Sequence, residues 1–138
     1  MMTATVLVAE AGLRAAVGTH LGYSDSLDIS AERLELFARA TGDNGATYLA
    51  ISLSNMFLPQ IVEVQGFAMG INYGTDAVRF LTPVVAGMRI RGAAFLAEVA
   101  EVKGGVQTRM LITIEHDAAG DRDVQTLCSI ESISRWLH

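Results

Sequence analysis

The hydrophobic positions change period along the chain. Residues 24–29 alternate polar and apolar, as in a short strand. Ser30 then reads as an N-cap for a helix over residues 31–41, with Leu34, Phe37 and Ala38 on one face and Glu32, Arg33, Glu35 and Arg39 on the other. Gly42 ends that helix, and Asp43, Asn44 and Gly45 form a turn. A second helix is predicted over residues 46–58. There Leu49, Ile51, Leu53, Met56, Phe57 and Leu58 leave no wide polar face, so burial on nearly all sides is expected. From residue 67 the period becomes two. Residues 67–81, 88–102, 105–116 and 124–136 are rich in Val, Ile, Thr and aromatics and read as strands. Lys103-Gly104-Gly105 and residues 117–121 are hairpin signals, and Thr82-Pro83 with Ala86-Gly87 break the chain before the second long strand. Short turns predict antiparallel neighbours. Before residue 23 the chain is rich in Ala and Gly, with a short helical turn over 13–17 punctuated by Gly18 and Gly22.

Long antiparallel strands and one wholly apolar helix, in so short a chain, predict an α+β fold in which a curved sheet wraps a central buried helix. This is the hot-dog architecture, though other α+β rolls fit the pattern nearly as well.

With 138 residues, one domain spanning 1–138 is expected. Hydrophobic residues make up 51% and charged residues 18%, which excludes a disordered chain and suggests that a partner covers some apolar surface. A net charge of -5 with no basic run argues against nucleic-acid binding. The single cysteine, Cys128, allows no internal disulfide or cysteine zinc site. With no signal-peptide pattern in residues 1–10 and no apolar run of the roughly 18 residues that span a bilayer, a cytoplasmic protein away from the membrane is expected.

Several segments carry a family resemblance. Residues 25–29 followed by Leu36-Phe37-Ala38-Arg39-Ala40-Thr41-Gly42-Asp43 resemble the opening of MaoC-like dehydratases, the (R)-specific enoyl-thioester hydratases. Residues 48–53 with Phe57-Leu58-Pro59 resemble their central helix. The most specific block is Gly70-Ile71-Asn72-Tyr73-Gly74, then Val78-Arg79-Phe80, Pro83-Val84 and Gly87. The resemblance implies a hot-dog fold and hydration of a 2-enoyl thioester, or dehydration of a 3-hydroxyacyl thioester, carried on coenzyme A or acyl carrier protein. It implies no further cofactor and no metal. It also implies a homodimer paired through its sheets. In such proteins an Asp and a His, in a Gly-Asp-x4-His pattern, hold the water, and an N–H at the start of the central helix polarises the thioester carbonyl. The chemistry is sound, since a helix N-terminus offers free N–H groups where an enolate oxygen develops.

The chain departs from that pattern at one place. Gly42-Asp43 is kept, but Tyr48 stands five residues on, where the family has His, and only residues 44–47 bridge the two. The shortening is either a true deletion, giving an altered or inactive relative, or a loop missing from the sequence as read. His20, His116 and His138 all lie far from Asp43 in sequence.

By residue, Asp43 is the candidate base, with a helix-cap role as its plain alternative. Tyr48 is a weaker catalytic candidate, better suited to polarising than to taking a proton. Asn72, Tyr73, Gly74 and Thr47 are candidates for binding substrate, and Arg79 for a carrier phosphate or for covering apolar surface with its stem. Cys128 reads as inert core. Three functions stay open: a hydratase or dehydratase, a non-catalytic subunit that binds an acyl thioester or stabilises a partner, and a repurposed pocket using Asp43 alone.

Overall fold

The computed structural model describes residues 3–117 and 124–138. Chain order is β1 (Thr5–Val8), α1 (Ala9–Ala16), β2 (Thr19–Tyr23), β3 (Leu27–Asp28), α2 (Ala31–Thr41), α3 (Leu49–Ile61), β4 (Val62–Gln65), β5 (Met69–Phe80), β6 (Arg89–Val102), β7 (Gly105–His116) and β8 (Gln125–Leu137). The main sheet runs β2-β6-β7-β8-β5, with β3 also paired to β6, and every pairing in it is antiparallel. The hot-dog expectation holds: α3 lies against the inner face of this curved sheet.

Alternation fixes that face. On β7, Val106, Thr108, Met110, Ile112 and Ile114 are buried, while the residues between them point outward. Opposite them α3 buries Leu49, Ala50, Leu53, Phe57 and Ile61. The helix comes close because β6 carries Gly92, where a methyl group would lie 2.8 Å from Phe57 Cβ. Phe57 is 1% exposed and forms the centre of the core with Ile90, Leu96 and Ile130.

Four expectations are corrected. First, α3 starts at Leu49, runs through Pro59, and is not covered all round. Ser52, Asn55, Met56 and Pro59 are exposed, because the single sheet reaches only one side of it. Second, β5 is not a neighbour of β6. It pairs with β8 and forms the sheet edge, so the link over residues 81–88 crosses between sheet positions rather than turning a hairpin. Third, the strand predicted over 24–29 is β2 over Thr19–Tyr23 and a two-residue β3, interrupted where the Ser24 side chain accepts from Gly92 N at 2.8 Å. Fourth, β1 and β4 form a separate parallel pair that the Ala- and Gly-rich opening did not suggest. The turn expected over residues 117–121 falls largely outside the described residues.

The first long helix follows its sequence signals. Ser30 Oγ accepts from Arg33 N at 3.0 Å, and Gly42 takes the left-handed conformation (φ 78°) as its N–H donates to Ala38 O at 2.7 Å. Its packing is looser than the pattern implies. No residue of α2 is buried, Leu34 and Phe37 are half-buried, and Leu36 is 55% exposed.

Candidate functional site

The left-handed Gly42 releases the chain from α2 and aims it at the start of α3. Asp43 N donates to Thr41 Oγ1 at 3.1 Å, and Ala46 N donates to Asp43 O at 3.1 Å. Ala46 adopts φ 52°, a conformation unusual for a residue with a side chain, so this short link is held in a tight bend. The bend sets the half-buried Asp43 carboxylate on the tip of α3. Its Oδ2 accepts from the backbone N–H of Tyr48, the N-cap residue, at 2.8 Å. A negative group at a helix N-terminus is favoured both by the helix dipole and by the donors left free in the first turn. Helix geometry leaves the N–H groups of Ala50 and Ile51 as further first-turn donors.

Two cavities flank this tip. One, of about 170 Å³, is lined by Gly45, Ala46, Thr47 and Ala50 together with Phe80, Leu81, Val84 and Cys128. The other is a groove of about 340 Å³ between α3 and the inner face of β5 and β8. Ile51, Ser54, Asn55 and Leu58 form one wall, and Asn72, Thr75, Ser132, Ser134 and Trp136 form the other. Ala50 therefore faces one cavity and Ile51 the other, so the first turn of α3 separates them.

The structure divides the sequence candidates. Asp43 and Thr47 stand at the α3 tip, Thr47 in the smaller cavity. Asn72 lines the groove instead. Tyr73 alternates to the opposite face of β5, where the Arg135 guanidinium lies 3.8 Å from its ring centroid, so it does not share a ligand with Asn72. Gly74 sits at a break in register between β5 and β8, a bulge on the edge strand. The Tyr48 backbone belongs to the tip, but its side chain is 58% exposed and lies edge-on to Phe80 at 5.3 Å, lining neither cavity. Arg79 is exposed on β5.

No described imidazole meets Asp43. His20 packs on Tyr23 of β2, His116 pairs with Ile90 and Gln125 at the end of β7, and His138 stacks on Phe67. Cys128 is fully buried, and burial pushes its thiol up. Among the described residues no cluster of His, Cys, Asp or Glu is placed to hold a metal ion, and no helix is long and apolar enough to cross a membrane.

Sequence reading missed Ser132 and Ser134. They were legible as an i, i+2 pair on the inward register of β8, but their facing α3 across open space was not.

No family model matches the chain. It is 32% identical to 3-hydroxyacyl-thioester dehydratase Z of Mycobacterium tuberculosis over 147 aligned positions, covering 92% of this chain and 95% of that protein. The aligned positions outnumber the 138 residues of the chain, so the relative carries residues with no counterpart here. Nodulation protein N of Rhizobium leguminosarum bv. viciae is 33% identical over 103 residues, 59% of this chain and 64% of that protein. Among solved structures, the R-hydratase PhaJ1 of Pseudomonas aeruginosa superposes with TM-score 0.65 at 17% identity, over 88% of this chain and 82% of that one. The (R)-hydratase of A. caviae gives TM-score 0.64 at 16% identity, over 87% and 96%. A protein from Archaeoglobus fulgius described as a monoamine oxidase regulatory protein gives 0.71 at 12%, over 99% and 98%. These structures carry the hot-dog fold, and with the dehydratase matched along nearly its whole length, the chain belongs to the MaoC-like hot-dog dehydratase family.

Proposed function

We propose that this protein is a hydratase or dehydratase acting on an enoyl or 3-hydroxyacyl thioester, with Asp43 as its one proton-transferring group. The observation that carries the reading is the meeting of a carboxylate with the α3 tip, Asp43 Oδ2 to Tyr48 N at 2.8 Å, next in sequence to the Gly45, Ala46, Thr47 and Ala50 that line the smaller cavity. A thioester carbonyl placed at the tip would be polarised by the remaining first-turn N–H groups. Asp43 would take a proton from water as the oxygen adds to Cβ, and return a proton to Cα. Proton count and charge then close on one carboxylate. The substrate brings its own carrier, coenzyme A or acyl carrier protein, and no other cofactor is needed. The relative's printed name, a 3-hydroxyacyl-thioester dehydratase, supports the same substrate class.

A second reading, a subunit that binds the thioester without turning it over, is favoured by a specific observation. The Asp43 carboxylate is engaged by the Tyr48 N–H ahead of α3, and no described imidazole joins it. Lacking one of two acid–base groups, the chain is expected to work about 10²–10⁴-fold below a complete pair.

Two copies pairing through β5 would fit either reading. The first half of this edge strand exposes Met69 (57%), Ile71 and Tyr73, apolar surface of the kind that a second copy covers.

Hydration of a crotonyl thioester, followed by loss of enoyl absorbance, tests the proposal. Slow turnover that Asp43→Asn abolishes supports it. Binding without turnover supports the second reading, and turnover that survives Asp43→Asn contradicts the role of Asp43.

A further inference from the structure

The groove under α3 is built for an uncharged chain that carries hydrogen-bonding groups. Its floor is apolar, with Ile112 and Ile130 each 1% exposed. Its wall on β5 and β8 is mixed, with Ile71 and Trp136 beside Asn72, Thr75, Ser132 and Ser134. Asn72 pairs across the strands with Ser134, and Ser134 with Thr108, while Thr75 pairs with Ser132. Alternation therefore lines up two rows of hydroxyl and amide groups on the inner face, where a cavity for a plain alkyl tail would show Val, Leu or Ile.

The partners of these groups matter more than their number. Trp136 Nε1 donates to Thr108 Oγ1 at 3.0 Å, which satisfies that pair internally. The side chains of Asn72, Thr75, Ser132 and Ser134 make no hydrogen bond to another described residue, although Ser132 and Ser134 are half-buried. Half-buried polar groups seek partners, so Ser132 and Ser134 favour an occupant that supplies them, with the more exposed Asn72 and Thr75 beside them on the same face. Across the groove, Ser54 and Asn55 of α3 bond back to their own helix, Ser54 Oγ to Ile51 O and Asn55 Nδ2 to Ser52 O, and the Asn55 carbonyl oxygen remains as an acceptor. No charged residue among those described lines the groove, which argues against a phosphate or carboxylate occupant.

We infer that the groove selects an oxygenated acyl tail, one bearing hydroxyl or keto groups beyond the reacting carbons, over a saturated alkyl tail of equal length. This rests on the thioester reading above and adds the substrate class. The groove runs along α3 from Ile51 toward Pro59, away from the tip where the carbonyl would sit. The occupant is therefore the tail, and the amide-bearing pantetheine arm leaves on the other side.

Trp136 is the sole tryptophan and lines the groove, so its fluorescence reports occupancy without any need for turnover. Three probes are titrated: pantetheine, hexanoyl-pantetheine and 3,5-dihydroxyhexanoyl-pantetheine. Two or three additional neutral hydrogen bonds predict about 10- to 100-fold tighter binding of the dihydroxy probe than of the hexanoyl probe. Ser132→Val with Ser134→Val should erase or reverse that preference, and the single alanine variants should halve it if the double variant does not fold. Equal or tighter binding of the hexanoyl probe overturns the inference and leaves the thioester reading standing. Pantetheine matching both acyl probes overturns it in favour of the carrier arm. If no probe changes the fluorescence, the thioester reading falls and takes this inference with it.

Discussion

Gly92→Ala probes the contact on which the architecture depends. The added methyl would lie 2.8 Å from Phe57 Cβ and 3.1 Å from two ring carbons. The obstacle is Cβ, which is tied to the α3 backbone, so a rotamer change cannot clear it and the helix must lift from β6. Overpacking of this kind costs about 1–3 kcal/mol. The smaller conformational freedom of Ala in the unfolded chain returns about 0.4–1 kcal/mol. A net loss of about 0.5–2 kcal/mol is expected. Urea unfolding followed by Trp136 fluorescence measures it, as a lower midpoint at an unchanged slope. Gly74→Ala is the control, because a methyl there meets nothing within 4 Å and should leave the midpoint level or slightly raised. Wild-type stability in Gly92→Ala, or an equal loss in Gly74→Ala, would refute the packing of α3 on β6.

Two further predictions concern the tip and the smaller cavity. Asp43→Ala should lower stability by about 0.5–1.5 kcal/mol through loss of the hydrogen bond from Tyr48 N, whereas Asp43→Asn keeps an acceptor and should cost less than half of that in the same urea titration. Burial holds the Cys128 thiol above its ordinary value, so the unfolded chain gives up this proton at a lower pH than the folded one. The stabilisation is complete below the ordinary thiol range of about 8.5 and is lost as pH rises beyond it. Stability measured from pH 7 to 10 should fall more steeply in wild type than in Cys128→Ala, and native Cys128 should resist thiol reagents until the chain unfolds.

Much of this fold was legible in the sequence because period and capping are local. Alternation marks β6 and β7 within a residue or two, and Ser30 and Gly42 bound α2 where their chemistry requires. What was not legible depends on distant partners. Nothing in residues 67–81 says that β5 pairs with β8 rather than β6, and an apolar helix does not reveal how far the sheet reaches around it. The site divides in the same way. The Gly42-Asp43 pair was visible, but the bond from Tyr48 N to the Asp43 carboxylate needed the bend at Ala46. Asn72 and Tyr73 are adjacent in sequence and face opposite sides of the sheet.

The proposed chemistry needs a thioester carbonyl resting on the N–H groups at the tip of α3. Isotope-edited infrared difference spectroscopy of a crotonyl thioester, labelled with carbon-13 at its carbonyl and bound to Asp43→Asn so that turnover is blocked, addresses it most directly. A carbonyl stretch moved to lower frequency than in water is expected, as backbone donors at the tip polarise it. A bound ligand whose carbonyl stretch is unmoved, or moved to higher frequency as in an apolar pocket, would contradict the account.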